Sequence, residues 1–93
     1  MADGTLGLIG AGRLAGALVA GWIGADPGCA SRIIATDRVE GVAEALGTGV
    51  RATPAEVAAE ADLVLLLVKP QDIPGAAREV GGALQAGAAV ASA

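Results

Sequence analysis

The chain has 93 residues, 54% of them apolar, with one Trp and no Phe or Tyr, so it is one domain whose core is built from Ala, Val, Leu and Ile. A net charge of −4 with no Lys/Arg cluster excludes nucleic-acid binding by phosphate neutralisation. One Cys and no His exclude an internal disulfide and a tetrahedral zinc site, and point to a reducing, cytoplasmic compartment.

Thr5–Ile9 is a short apolar run ending at Gly10, the pattern of a first strand. A helix is predicted from Arg13 to about Gly24, with Leu14, Ala17, Leu18 and Gly21 recurring on one face. Leu6–Ala25 carries only Arg13 as a charge and superficially resembles a membrane span. Six glycines interrupt it, however, and Asp3 stands where a positive flank belongs, so no membrane segment is expected. Asp26, Pro27 and Gly28 make a turn. Arg32–Thr36 is the second strand, Val39–Leu46 a short helix stopped by Gly47 and Gly49, and Val50–Ala52 a brief third strand.

Thr53-Pro54-Ala55-Glu56 places a hydroxyl at the N-cap, Pro at the first helical position and Glu at N3. This is a capping box, and it opens a helix reaching about Ala61. Leu63–Val68 is a continuous apolar run, as expected of a central parallel strand buried on both faces. Lys69-Pro70 ends it, a helix follows from near Ile73 to about Val80, and Ala88–Ser92 is a fifth strand. Strands alternating with helices imply an α/β fold: a Rossmann-like, doubly wound parallel sheet. Right-handed crossovers give the strand order 3-2-1-4-5, with residues 1–93 forming one dinucleotide-binding domain and its ligand at the switch between strands one and four.

Three motifs carry chemistry. Gly10-Ala11-Gly12-Arg13-Leu14-Ala15 is the G-x-G-x-x-A form of the dinucleotide fingerprint. Gly10 permits the tight turn out of the strand, Gly12 lets backbone approach a diphosphate, and Ala15 lets the helix lie close to the sheet. The amides of the first helical turn then face the phosphates, aided by the positive end of the helix. The second motif is Thr36-Asp37-Arg38 at the end of strand two. Asp37 there suits the ribose hydroxyls of NAD, Arg38 suits the 2′-phosphate of NADP, and a solvated turn with an ordinary charge pair is the third reading. The third is Val68-Lys69-Pro70-Gln71, leaving strand four at the edge that faces the ligand. Lys69 either supplies a positive charge beside the cofactor or faces solvent behind a helix-start proline.

The segments Ile9–Leu18 (IGAGRLAGAL), Ile33–Arg38 (IIATDR), Ala61–Asp72 (ADLVLLLVKPQD) and Val90–Ala93 (VASA) together resemble pyrroline-5-carboxylate reductase. The resemblance runs the length of the chain, and V-K-P-Q is its more discriminating part. It implies NADPH- or NADH-dependent reduction of 1-pyrroline-5-carboxylate, an imino acid, to L-proline. It places cofactor contacts on Ile9, Gly10, Ala11, Gly12, Arg13 and Leu14; on Thr36, Asp37 and Arg38; on Leu67, Val68, Lys69 and Pro70; and on Ala93. It also implies a helical C-terminal domain beyond this chain that forms a homo-oligomer and holds the substrate. The low charged fraction of 17% agrees with apolar surface meeting another domain or subunit. Arg13 stands where the family often has Asn or Gln, and Ala55 and Glu56 stand where it commonly has an Asn. No acid–base residue is expected within the chain, so residues 1–93 alone should bind nucleotide weakly without turnover. The alternatives are another reductase with the same front half, such as an F420-dependent NADP reductase, and a non-catalytic nucleotide-binding module.

Overall fold

The computed structural model describes residues 4–85 and 87–92. Its strands are β1 (Leu6–Ile9), β2 (Ile33–Thr36), β3 (Gly49–Val50), β4 (Leu63–Leu66) and β5 (Ala89–Ser92). Its helices are α1 (Arg13–Ala25), α2 (Pro54–Glu60) and α3 (Ile73–Gly81). All strand pairs are parallel and the sheet order is β3-β2-β1-β4-β5, as expected of a Rossmann-like fold. In register, Ile9 lies between Thr36 and Leu66, so the ends of the three central strands are level at one edge.

The two faces of the sheet are separately packed. Leu8, Ile33 and Ala35 meet Ala15 and Val19 of α1, while Ile9, Ile34, Val64 and Leu66 meet Val57, Ala58 and Val80 of α2 and α3. Gly7 sets the second contact. A Cβ there would strike Val57 Cγ1 and lie 2.8 Å from Ala61 Cβ, so only glycine lets α2 rest directly on β1.

The helix opening at Thr53 is capped at both ends of the motif. Thr53 Oγ1 accepts from the Glu56 amide at 3.2 Å, and Glu56 Oε2 accepts from the Ala52 amide at 2.9 Å, one residue before the position the capping box implies. At the far end, Glu60 lies beside the negative pole of α2, an unfavourable place for a carboxylate. Arg51 answers it with a two-pronged contact, Nε–Oε2 at 2.5 Å and Nη2–Oε1 at 2.8 Å. The hydrogen bond and charge of Arg51 hold the Glu60 carboxyl below its ordinary pKa, and Glu60 raises that of Arg51.

Four expectations are corrected. The buried face of α1 is Ala15 and Val19 with half-buried Trp22, whereas Leu14, Ala17 and Gly21 are exposed. A helix apolar nearly all round carries little periodic signal, and the close approach demanded small Ala15 against the sheet. Val39–Leu46 is a turn followed by a 3-10 turn over Glu44–Leu46, because Gly41 adopts φ +85° in the middle of the segment. The third strand is Gly49–Val50, not Val50–Ala52: the Arg51 amide still donates to Ala35 O of β2 at 2.9 Å, but the Ala52 amide is already taken by Glu56 in the cap of α2. In β4, Val64 and Leu66 are buried but Leu63 and Leu65 only half so, because α1 lies over β1 and β2 and leaves that side of β4 partly open.

Candidate functional site

The end of β1 is stitched to both neighbours. The Gly10 amide donates to Thr36 O at 2.9 Å, and the Leu67 amide donates to Ile9 O at 2.8 Å. Gly10 then turns with φ +99°, and a Cβ on it would sit 2.9 Å from the carbonyl carbon and oxygen of Leu67. Both the dihedral and the contact require glycine. Gly12 differs: a Cβ there meets nothing within 4 Å, and the residue borders the crevice. Gly12 is also the N-cap of α1 and brings no side-chain acceptor, so the first-turn amides keep their hydrogen-bonding capacity for something outside the helix.

That crevice has a volume of about 750 Å³ at the level edge of the sheet, where the strand order reverses between β1 and β4. Of the residues expected from sequence, it gathers Ile9, Gly10 and Gly12 from the first loop, Thr36, Asp37 and Arg38 from the end of β2, and Leu67, Val68 and Lys69 from the end of β4. Arg13, Leu14 and Pro70 do not line it. Arg13 and Leu14 are exposed residues of the first turn of α1, while Pro70 opens a 3-10 turn over Pro70–Asp72. Ala11 is buried beneath the loop, and the contact expected at Ala93 lies outside the described residues.

Asp37 has a use that the sequence did not announce. Its Oδ2 accepts from the Ala11 amide and its Oδ1 from the Val39 amide, each at 2.8 Å. The carboxylate therefore fixes the glycine loop to the end of β2, besides facing the crevice. Arg38 Nη2 lies 2.8 Å from Asp72 Oδ2, an ion pair spanning from the end of β2 to the turn after β4. Asp37 is thus tied to the glycine loop, while Arg38 stays 79% exposed in an ion pair at the surface. Asp72, Arg78 and Glu79 also line the crevice and escaped the sequence reading; Asp72 directly follows the V-K-P-Q motif, and Arg78 and Glu79 follow from the position of α3. Among the described residues no cluster of His, Cys, Asp or Glu suits a metal ion, and no helix is long and apolar enough to cross a membrane.

A three-strand mononucleotide unit (β1–β3) and the start of a second (β4, β5) meet at a switch-point crevice with a glycine loop and an uncapped helix, the arrangement of an oxidoreductase-type NAD(P)-binding domain. Residues 5–93 match the family described as NADP oxidoreductase, coenzyme F420-dependent, and the chain belongs to that family. Among solved structures it is similar to pyrroline carboxylate reductase from Plasmodium falciparum with NADP bound, with TM-score 0.84 and 18% identity over 99% of this chain and 34% of that one. It is similar to pyrroline-5-carboxylate reductase from Coxiella burnetii, with TM-score 0.82 and 28% identity over 96% of this chain and 34% of that one. An imine reductase variant from Myxococcus stipitatus in complex with NAD+ gives TM-score 0.76 and 22% identity over 97% of this chain and 31% of that one. The chain thus spans about a third of the length of these proteins. No curated protein matches it.

Proposed function

We propose that this chain holds NADPH or NADH for a reductase that converts a cyclic imino acid, 1-pyrroline-5-carboxylate, to L-proline. The observation that carries the cofactor reading is the loop from Gly10 to Gly12. Its backbone borders the crevice, its glycines are required or left open in the places a diphosphate needs, and it leads into an uncapped helix. The imine substrate is supported by the 28% identity to the Coxiella reductase and by the C=N chemistry shared with imine reductases.

The residues divide the work. The amides at the head of α1 take the diphosphate, and Asp37 keeps the loop in position through the Ala11 amide. Arg38 meets the adenosine ribose or its 2′-phosphate, while Lys69 adds positive charge near the end of β4. When bound, the reduced nicotinamide supplies the hydride that adds to the imine carbon. The remaining groups on substrate belong to a partner region outside this chain, a helical domain that also forms a homo-oligomer in the cytoplasm. Residues 1–93 alone bind nucleotide without turnover.

The test is titration with NADPH and NADH by nicotinamide fluorescence, followed by assay of the whole protein. Oxidation of NADPH with 1-pyrroline-5-carboxylate and not with oxidised coenzyme F420 supports this reading. The reverse result favours the second reading, an F420-dependent NADP reductase, which the matching family's description supports. Proline formation by residues 1–93 alone would overturn the division between this chain and its partner region.

A further inference from the structure

Six charged side chains line the crevice: Arg38, Lys69 and Arg78 against Asp37, Asp72 and Glu79. The formal charges cancel, which is unexpected for a cleft meant to receive an anion. Arg38 and Asp72 stand apart from the rest, because they join the two sides of the cleft at 2.8 Å across 34 residues of sequence. Arg38 is 79% exposed and its partner 28%, so the arginine is held at the mouth by Asp72 from the opposite wall. The backbone beneath Asp72 is itself fixed, since its amide donates to Lys69 O at 2.8 Å within the turn that ends β4.

We infer that Asp72 is a positioning residue that sets the preference between phosphorylated and unphosphorylated dinucleotides by competing for Arg38. This rests on the cofactor reading given above. An incoming 2′-phosphate must take the Arg38 guanidinium away from the Asp72 carboxylate before it gains a charge-assisted contact of its own. A dinucleotide with a free ribose hydroxyl leaves the pair closed. Asp72 therefore lowers affinity for the phosphorylated form and leaves the other nearly unchanged. The pair is solvated, so the barrier it presents is small and electrolyte-sensitive: it tunes a ratio and does not block a ligand.

The experiment compares Kd for NADPH and NADH in wild type, Asp72→Asn, Arg38→Gln and the double variant. Asp72→Asn should tighten NADPH by about two- to five-fold, the range of an exposed ion pair, with NADH within about two-fold of wild type. The gain should vanish in the Arg38→Gln background and shrink as salt is raised. A purely structural role for Asp72 would move both nucleotides together, so an unchanged NADPH-to-NADH ratio in Asp72→Asn overturns the inference while leaving the cofactor reading intact. Should Asp72→Asn fold poorly, Asp72→Ser gives the same comparison. Wild type that binds neither nucleotide overturns the cofactor reading itself, and this inference with it.

Discussion

The two glycines of the first loop look alike in sequence and do different things. Gly10 carries a positive φ and lies against the Leu67 carbonyl, so Gly10→Ala combines a strained dihedral with a backbone clash. A loss of about 2–4 kcal/mol in urea unfolding is expected, together with loss of nucleotide binding. Gly12→Ala meets nothing within 4 Å, so it should keep stability within about 0.5 kcal/mol of wild type and still lose nucleotide affinity. Equal destabilisation by both changes would contradict this assignment. Asp37 makes a second contrast. The Asp37→Ala change removes the acceptor for the amide of buried Ala11, at a cost of about 1–3 kcal/mol, and should weaken NADH and NADPH alike. A loss confined to NADH would instead mean that ribose recognition is its main task. The identities of Asp37 and Arg38 at the end of β2 were legible from the motif. Their partners were not, because Ala11 and Asp72 lie 26 and 34 residues away and only the folded sheet brings them together.

At the scale of elements, the strands were read from apolar runs and glycine stops, and α2 from its cap; each signal is local and so survives without the fold. Two failures have equally local causes. Gly41 lay in plain view inside Val39–Leu46 and needed a positive φ, which no helix interior offers. The buried face of α1 was hidden because its apolar residues surround the helix, and only the small Ala15 of the fingerprint marked the side that touches the sheet. Because α2 has seven residues, its ends matter more than its middle. Thr53→Ala should cost about 0.5–2 kcal/mol in chemical unfolding. Its other end carries a pH dependence. Glu60 has a folded pKa below its ordinary value of 4.5, so the stability from its pair with Arg51 is present above about pH 4.5 and disappears as pH falls through the lower folded value. Glu60→Gln should therefore flatten the stability profile as pH falls below about 4.5, and a profile parallel to wild type would remove the pair from the account.

At the scale of the whole molecule, the crevice belongs to neither half of the sheet. Gly10, Thr36, Asp37 and Arg38 come from the half built on β1–β3, whereas Leu67, Val68 and Lys69 come from the half built on β4. Between the halves the packed side chains are mostly apolar, and at this edge the Leu67–Ile9 backbone bond and the Arg38–Asp72 pair cross from one half to the other. A ligand lying across both sets of loops binds the folded arrangement and has nothing comparable to bind when the chain unfolds. Nucleotide at about ten times its Kd should then add roughly 1.4 kcal/mol of stability. In a domain this small that raises Tm by roughly 6–11 °C. The shift should fall sharply in Gly12→Ala, whose fold is intact but whose loop no longer admits the diphosphate. A nucleotide-induced shift of equal size in wild type and Gly12→Ala would place the ligand away from the loop, because an added Cβ changes nothing but the open space beside Gly12.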